Sequence, residues 1–160
     1  MPTPMMASSD NGTAACAEGM RMLEAGASAL DAVEHCAKLV EADLNEVSVG
    51  RGGRPNIFGQ VQLDAQIMDG TTLNAGSVGF VTNCCHVSSL ARAVMEQTPH
   101  VMVVGEGADV LAREMGLNDA EVGVPGAEPL LQPGAEADYR EALARDFPGI
   151  DLDNPAAAWR

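Results

Sequence analysis

Aromatic side chains are scarce: one Trp, one Tyr and three Phe in 160 residues, 3% of the chain. So small a complement argues against a broad platform for stacking sugars or bases. Basic residues are also few, nine Lys and Arg against 23 Asp and Glu, for a formal net charge of −14. A surface of that sign repels phosphate backbones and anionic lipid heads, which excludes nucleic acid and membrane surfaces as partners. No run approaches the ~18 consecutive apolar residues that a membrane helix needs. The N-terminal stretch Met1-Pro2-Thr3-Pro4-Met5-Met6 has no basic segment ahead of a long apolar one, so no secretory signal is read there and a cytoplasmic protein is expected. Only four cysteines occur, at 16, 36, 84 and 85, and adjacent Cys84 and Cys85 do not readily bridge each other. Reduced thiols, not a disulfide scaffold, are predicted.

What remains suits one globular domain. The chain has a mass of 16.6 kDa, is 46% hydrophobic and has a mean hydropathy of +0.01, enough apolar matter to offset chain entropy. No internal repeat is visible. Composition divides it in two: residues 1–117 are rich in Ala, Val, Gly and Met, and residues 118–160 form an acidic, Pro-rich tail. In that tail nine acids meet only Arg140, Arg145 and Arg160, and one short helix is predicted over 135–146.

Hydrophobic spacing orders the core. Ala15, Gly19, Met22 and Leu23 mark a first helix over 13–25, with Gly26 placed for a left-handed C-cap. Ser28 and Asp31 open a second helix. Its stripe is Ala29, Leu30, Val33, Cys36, Ala37 and Val40, with Glu34 and Lys38 as a solvent-facing pair. Over 60–69 the period drops to two: Val61, Leu63, Ala65 and Ile67 face inward, and Asp69-Gly70 signals a primed hairpin turn. The return strand covers 72–80, where Gly76 and Gly79 suggest close approach of another backbone. A third helix spans 87–97. The apolar stretch Val101 to Val104 reads as a strand covered on both faces, and a fourth helix turns Val110, Leu111 and Met115 inward. With a short strand ahead of the first helix, four strands are expected. The order of elements predicts α+β layers on an antiparallel sheet, with too few elements to cover it.

Candidate chemistry is sparse. Cys84-Cys85-His86 with distant His100 lacks the usual ligand spacing, so no metal and no cofactor are predicted. His35 lies four residues from Asp31 and reads as a helix-surface pair. Gly105-Glu106-Gly107 has neither a third glycine nor a Lys-Ser/Thr pair, which speaks against nucleotide binding. The glycine-dense loop from Gly50 through Gly52 and Gly53 to Asn56 is either a tight connection or the lining of a small-molecule site. Ser8-Ser9-Asp10-Asn11-Gly12 offers helix caps, with substrate contact as a further role.

Five strings carry a resemblance: LEAGASALDAVE at 23–34, SVGRGGRPN at 48–56, LDAQIMDG at 63–70, LARAVME at 90–96 and TPHVMVVGEGA at 98–108. In this order they resemble the asparaginase type 2 family, N-terminal-nucleophile hydrolases that include glycosylasparaginase and isoaspartyl peptidase. The resemblance covers residues 7–117. It implies the N-terminal half of a four-layer αββα sandwich, made as a precursor that cuts itself. The nucleophile would be a threonine opening a separate β chain, its free amine serving as general base. The substrate would be the side-chain amide of asparagine, a β-aspartyl peptide or an N4-substituted asparagine, and the assembly (αβ)2.

On this basis the chain, ending at Trp159-Arg160, is expected to be an α subunit without a catalytic residue of its own. Thr13, Thr71, Thr72, Thr82 and Thr98 fall in caps, turns or strand ends. The resemblance makes Ser48 the candidate nearest the nucleophile, with Ser9 and Asn11 on the rim and Gly50, Gly52, Gly53 and Asn56 shaping the loop. The family departs from this sequence at two places. Glycosylasparaginases of the lysosomal type carry a substrate-contacting tryptophan where Ser8 to Asn11 stand, which weighs against a bulky glycosylated substrate. Their Lys-Asn-Pro-Ile stretch is replaced around Cys85-His86-Val87-Ser88. The absence of a nucleophile also leaves open an inactive, truncated relative that acts as a binding or assembly module.

Overall fold

The computed structural model describes residues 3–154. Five helices and three strands follow one another as α1 (Thr13–Glu24), α2 (Ala29–Glu41), β1 (Leu63–Met68), β2 (Ala75–Val81), α3 (Val87–Gln97), β3 (Met102–Val104), α4 (Glu106–Glu114) and α5 (Ala135–Asp146). The molecule is α+β. No strand precedes α1 among the described residues; a single 3-10 turn over Asp10–Gly12 stands there instead. Its residues offer α1 no side-chain cap, contrary to expectation, because Gly12 occupies the N-cap position.

Local signals account for the end of α1 and the start of α2. Gly26 adopts φ +93 just after α1, a conformation that costs a glycine little. The Ser28 hydroxyl accepts from the Asp31 amide at 3.0 Å and fixes the start of α2. Of the apolar stripe of α2, Leu30 packs against the core, but the rest is not a core face. Val33, Cys36, Ala37 and Val40 border an open cleft, and it is Ala32 that is fully buried.

The sheet has the order β1-β2-β3 and is mixed. β1 and β2 are antiparallel, but β3 runs parallel to β2 because α3 carries the chain back across the sheet as a crossover. This corrects the expectation of a purely antiparallel sheet. The turn between β1 and β2 spans six residues, and its positive φ falls on Leu73, not Gly70. The Asp69 carboxylate shapes it by accepting from the Thr71 amide and the Thr72 hydroxyl, both at 2.9 Å.

One face of the sheet packs on α3. Leu63, Ile67 and Val78 meet Val87, Leu90, Ala91 and Val94 in the core, which extends to Ala108, Ala112, Ala120 and Leu130. Gly76 permits this contact: a Cβ there would overlap the Ala91 carbonyl and the Met95 amide of α3. The backbone that approaches closely is a helix. The other face is open. Met102 pairs with Ser77 and Val104 with Gly79 in register, and they are 60% and 54% exposed, with Met68 and Phe80 also exposed nearby. The apolar strand at Val101 to Val104 is therefore an edge strand covered on one side only, through Val103, and not on both. Val110 of α4 is exposed as well; its inward positions are Ala108 and Ala112, with Leu111 packed against the core as expected.

Arg92 ties α2 to α3. Its guanidinium reaches Asp31 and Glu34 of α2, both at 2.7 Å, and Glu96 at 2.8 Å. Glu34 also accepts from Ser89 at 2.5 Å, so it faces α3 rather than standing with Lys38 in solvent. Asp31 is engaged with Arg92, and His35 forms no ion pair among the described residues.

Candidate functional site

A cleft of about 420 Å³ lies between the segment before α1, the inner side of α2, the loop at Ser48 to Gly50 and the start of β1. Ser9, Asn11, Ser48 and Gly50 all line it, together with Met6, Cys16, Cys36, Gln62 and Asp64. Gly52, Gly53 and Asn56 lie outside the lining, deeper in the loop. Their setting is nonetheless tight. A Cβ at Gly50 would overlap the Glu41 backbone, and one at Gly52 the Glu46 carbonyl. Gly50 also takes φ +60. The loop thus presses onto the end of α2 and brings Ser48 to the cleft edge.

Hydrogen bonds knit this edge together. Ser48 donates through both its amide and its hydroxyl to Glu46 Oε1, at 2.8 and 2.6 Å. Ser9 donates its hydroxyl to Asn11 Oδ1 at 2.6 Å. The bonds from Ser48 hold the Glu46 carboxyl below its ordinary range, with a further contribution from the Asn11 side chain. Glu46 went unnoticed in the sequence because it belongs to no periodic pattern and acts only through its neighbours.

Asp64 forms the opposite wall. Alternation marked it as merely solvent-facing, but its carboxylate accepts from the Phe80 amide at 2.8 Å. Phe80 has φ +59, and the pairing of β1 with β2 shifts by one residue there, so Asp64 secures a bulge beside the cleft. The floor is soft and apolar. Cys36 donates to the Ala15 carbonyl at 3.1 Å, and burial raises its thiol pKa.

A second polar cluster lies behind the cleft. Glu41, at the end of α2, is 5% exposed and accepts from Ser88 through the amide at 2.9 Å and the hydroxyl at 3.0 Å. It thereby caps α3, whose N-cap residue, His86, supplies no side-chain bond. The ligand atoms of Cys85, His86 and Asp119 lie within 4.8 Å of one another; His100 is not among them and sits exposed on the far side of α3. Here a cation is already present, since Arg51 pairs with Asp119 at 3.5 Å and with Glu128. The Cys85 thiol, its pKa raised by burial, donates to the Glu41 carbonyl at 3.2 Å. These groups form an ion-pair network in which Arg51 Nε and His86 Nδ1 remain without a hydrogen-bond partner among the described residues. Gly105, at φ +59, simply turns β3 into α4.

Among the described residues no threonine lines the cleft, and no helix is long and apolar enough to cross a membrane. All four cysteines are free.

Comparison with known proteins gives the family. A family model described as Asparaginase matches residues 3–128. The chain is 44% identical over 139 residues to an N(4)-(beta-N-acetylglucosaminyl)-L-asparaginase of Elizabethkingia miricola, covering 86% of this chain and 38% of the relative. It is 46% identical over 135 residues to an isoaspartyl peptidase of Salmonella typhimurium, covering 84% and 43%. To the isoaspartyl peptidase/L-asparaginase of Mus musculus it is 43% identical over 108 residues, covering 68% and 33%. The chain spans less than half the length of these relatives.

Proposed function

Because the chain belongs to the asparaginase family, we propose that it is the α-chain portion of an amidohydrolase, with the nucleophilic threonine on a separate β chain. The substrate is the side-chain amide of L-asparagine, a β-aspartyl peptide or an N4-substituted asparagine. A threonine whose own freed α-amine serves as base needs only a chain terminus brought to a prepared cleft. The observation that carries this reading is the cleft itself. Ser9, Asn11 and Ser48, candidates from distant parts of the sequence, line it with no threonine beside them.

In this reading Ser9, Asn11 and Ser48 form the substrate-side rim, and Gly50, Gly52, Gly53 and Asn56 shape the loop that presents Ser48. Residues 1–117 are the subunit core and residues 118–160 lead toward the cleavage site. The open sheet face receives the companion's sheet to complete a four-layer αββα sandwich, and two such pairs form (αβ)2. Four free thiols support a reducing, cytoplasm-like compartment.

The test is co-expression with the coding segment that follows. The purified pair is assayed on L-asparagine, a β-aspartyl dipeptide and N4-(acetylglucosaminyl)asparagine, with this chain alone as control. Hydrolysis by the pair and none by the chain alone is expected. If the pair forms but cleaves none of the three, the amidohydrolase reading fails. An inactive assembly module, which the lack of a threonine in the cleft equally fits, then takes its place.

A further inference from the structure

The polar side chains along one lip of the cleft spend their protons on one another. A carboxylate has no proton to give, so chemistry fixes the direction of the 2.6 Å bond between Ser48 Oγ and Glu46 Oε1: the serine donates. The Ser48 amide commits to the same oxygen. Ser9 gives its single hydroxyl proton to Asn11 Oδ1, and the Asn11 side chain helps to lower the Glu46 carboxyl. Both hydroxyls can then offer the cleft only lone pairs. The acidic side chains that share the lining reinforce this sign, for Glu41 and Asp64 are carboxylates and no Lys, Arg or His is among the lining residues, His86 reaching Glu41 from outside the cleft.

We infer that Glu46 is the positioning residue of this lip: it holds Ser48 as a hydrogen-bond acceptor toward the cleft, so that the site receives an N–H-bearing group and turns away a carboxylate. The inference rests on the amidohydrolase reading above and adds a residue and a polarity to it. Two groups could supply the N–H, the scissile amide of the substrate or a free amine on the far wall of the completed site. Glu46 suits the task because its carboxyl is held ionised by the Ser48 bonds, with Asp43, the neighbouring acid, working the other way.

Two measurements test it. The first needs no activity: the Glu46 carboxyl is titrated by carbon-13 NMR in the assembled protein and in its Ser48→Ala variant. The midpoint is expected to rise when the serine is removed, and an unchanged midpoint overturns the link. The second compares L-asparagine with the β-methyl ester of L-aspartate, which keeps the acyl part but has no N–H on the leaving side. Glu46→Ala is expected to lower kcat/KM on asparagine about tenfold, the size of one hydrogen bond to a charged network. Ser48→Ala should match it, and the double variant should lose no more than either alone. Glu46→Gln, whose amide oxygen still accepts, should fall between wild type and Glu46→Ala. A loss confined to asparagine assigns the N–H to the scissile amide; an equal loss on both substrates assigns it to the free amine. Additive losses, or full activity in Glu46→Ala, overturn the inference. Should the wild-type pair hydrolyse neither compound, nor the β-aspartyl dipeptide and N4-(acetylglucosaminyl)asparagine named above, the amidohydrolase reading falls and the titration still decides the Glu46–Ser48 link.

Discussion

Helix α3 owes its start to a side chain 47 residues earlier in the chain. Glu41 accepts from the Ser88 amide and hydroxyl and stands 3.5 Å from His86 Nδ1, while almost wholly withdrawn from solvent. Replacing it by alanine strands those donors in the interior, a loss of about 3 kcal/mol. Glu41→Gln keeps an acceptor for the Ser88 amide and should cost less than half as much. Urea unfolding of the two variants measures the difference, and equal losses would mean the carboxylate only fills space. Ser28 does the same work for α2 from within its own first turn, and Ser28→Ala should cost about 1 kcal/mol. The contrast explains what could be read from the residues. Ser28 with Asp31 is a local signal and was legible, whereas nothing in the spacing of Glu41 tells that it reaches another helix. The lip shows the same division. Ser9, Asn11 and Ser48 were candidates through resemblance alone, and Glu46, which takes both bonds from Ser48, had no signal at all.

At the scale of elements, helix limits were legible because a 3.6-residue period is a property of contiguous sequence, and α3 and α5 run as expected. Pairing was not legible, since whether β3 lies parallel to β2 depends on the path of α3 between them. Two junctions show how the elements are held. At the first, Arg92 of α3 engages Asp31 and Glu34 of α2. Burial pushes the Glu34 carboxyl up, but its bonds to Ser89 and Arg92 outweigh this and hold it below the ordinary 4.5. Asp31 is lowered too, by Ser28 first and Arg92 next. Carboxyls lowered by folding contribute stability that is complete above about pH 4.5 and is lost as pH falls through their lowered values. Arg92→Met should therefore destabilise the protein by about 2 kcal/mol at pH 7. It should also flatten the loss of stability below pH 4.5 in melting curves; an acid limb as steep as that of wild type would show that other carboxyls govern it. At the second junction, Gly76 lets β2 touch the backbone of α3. Gly76→Ala must push the two apart, at a cost of about 2–3 kcal/mol by thermal melting. A neutral substitution would mean the sheet and helix slide freely.

For the molecule as a whole, the unusual feature is a sheet with one finished face. Sequence arithmetic already indicated too few elements to cover it. What the arithmetic missed was which strand stays bare, because an uninterrupted apolar run reads as doubly buried whether or not its cover lies in the same chain. Met68, Phe80, Met102 and Val104 are each more than half exposed around that face. Covering such side chains contributes about 25 cal/mol per Å² of apolar surface removed from water, so the patch favours association. Left alone, the chain should bind a hydrophobic dye and self-associate through the β3 edge; with its proposed companion it should do neither. Met102→Lys with Val104→Lys is the sharper test. Both side chains are already in water, so the circular dichroism and melting of this chain should change little, and charge on an edge strand hinders non-specific pairing. Docking of the companion, by contrast, should weaken about a hundredfold, since two charges would have to be buried against an apolar layer. If the doubly substituted chain still co-purifies at full yield and with unchanged affinity, the companion must bind elsewhere, and the bare face would need a different occupant.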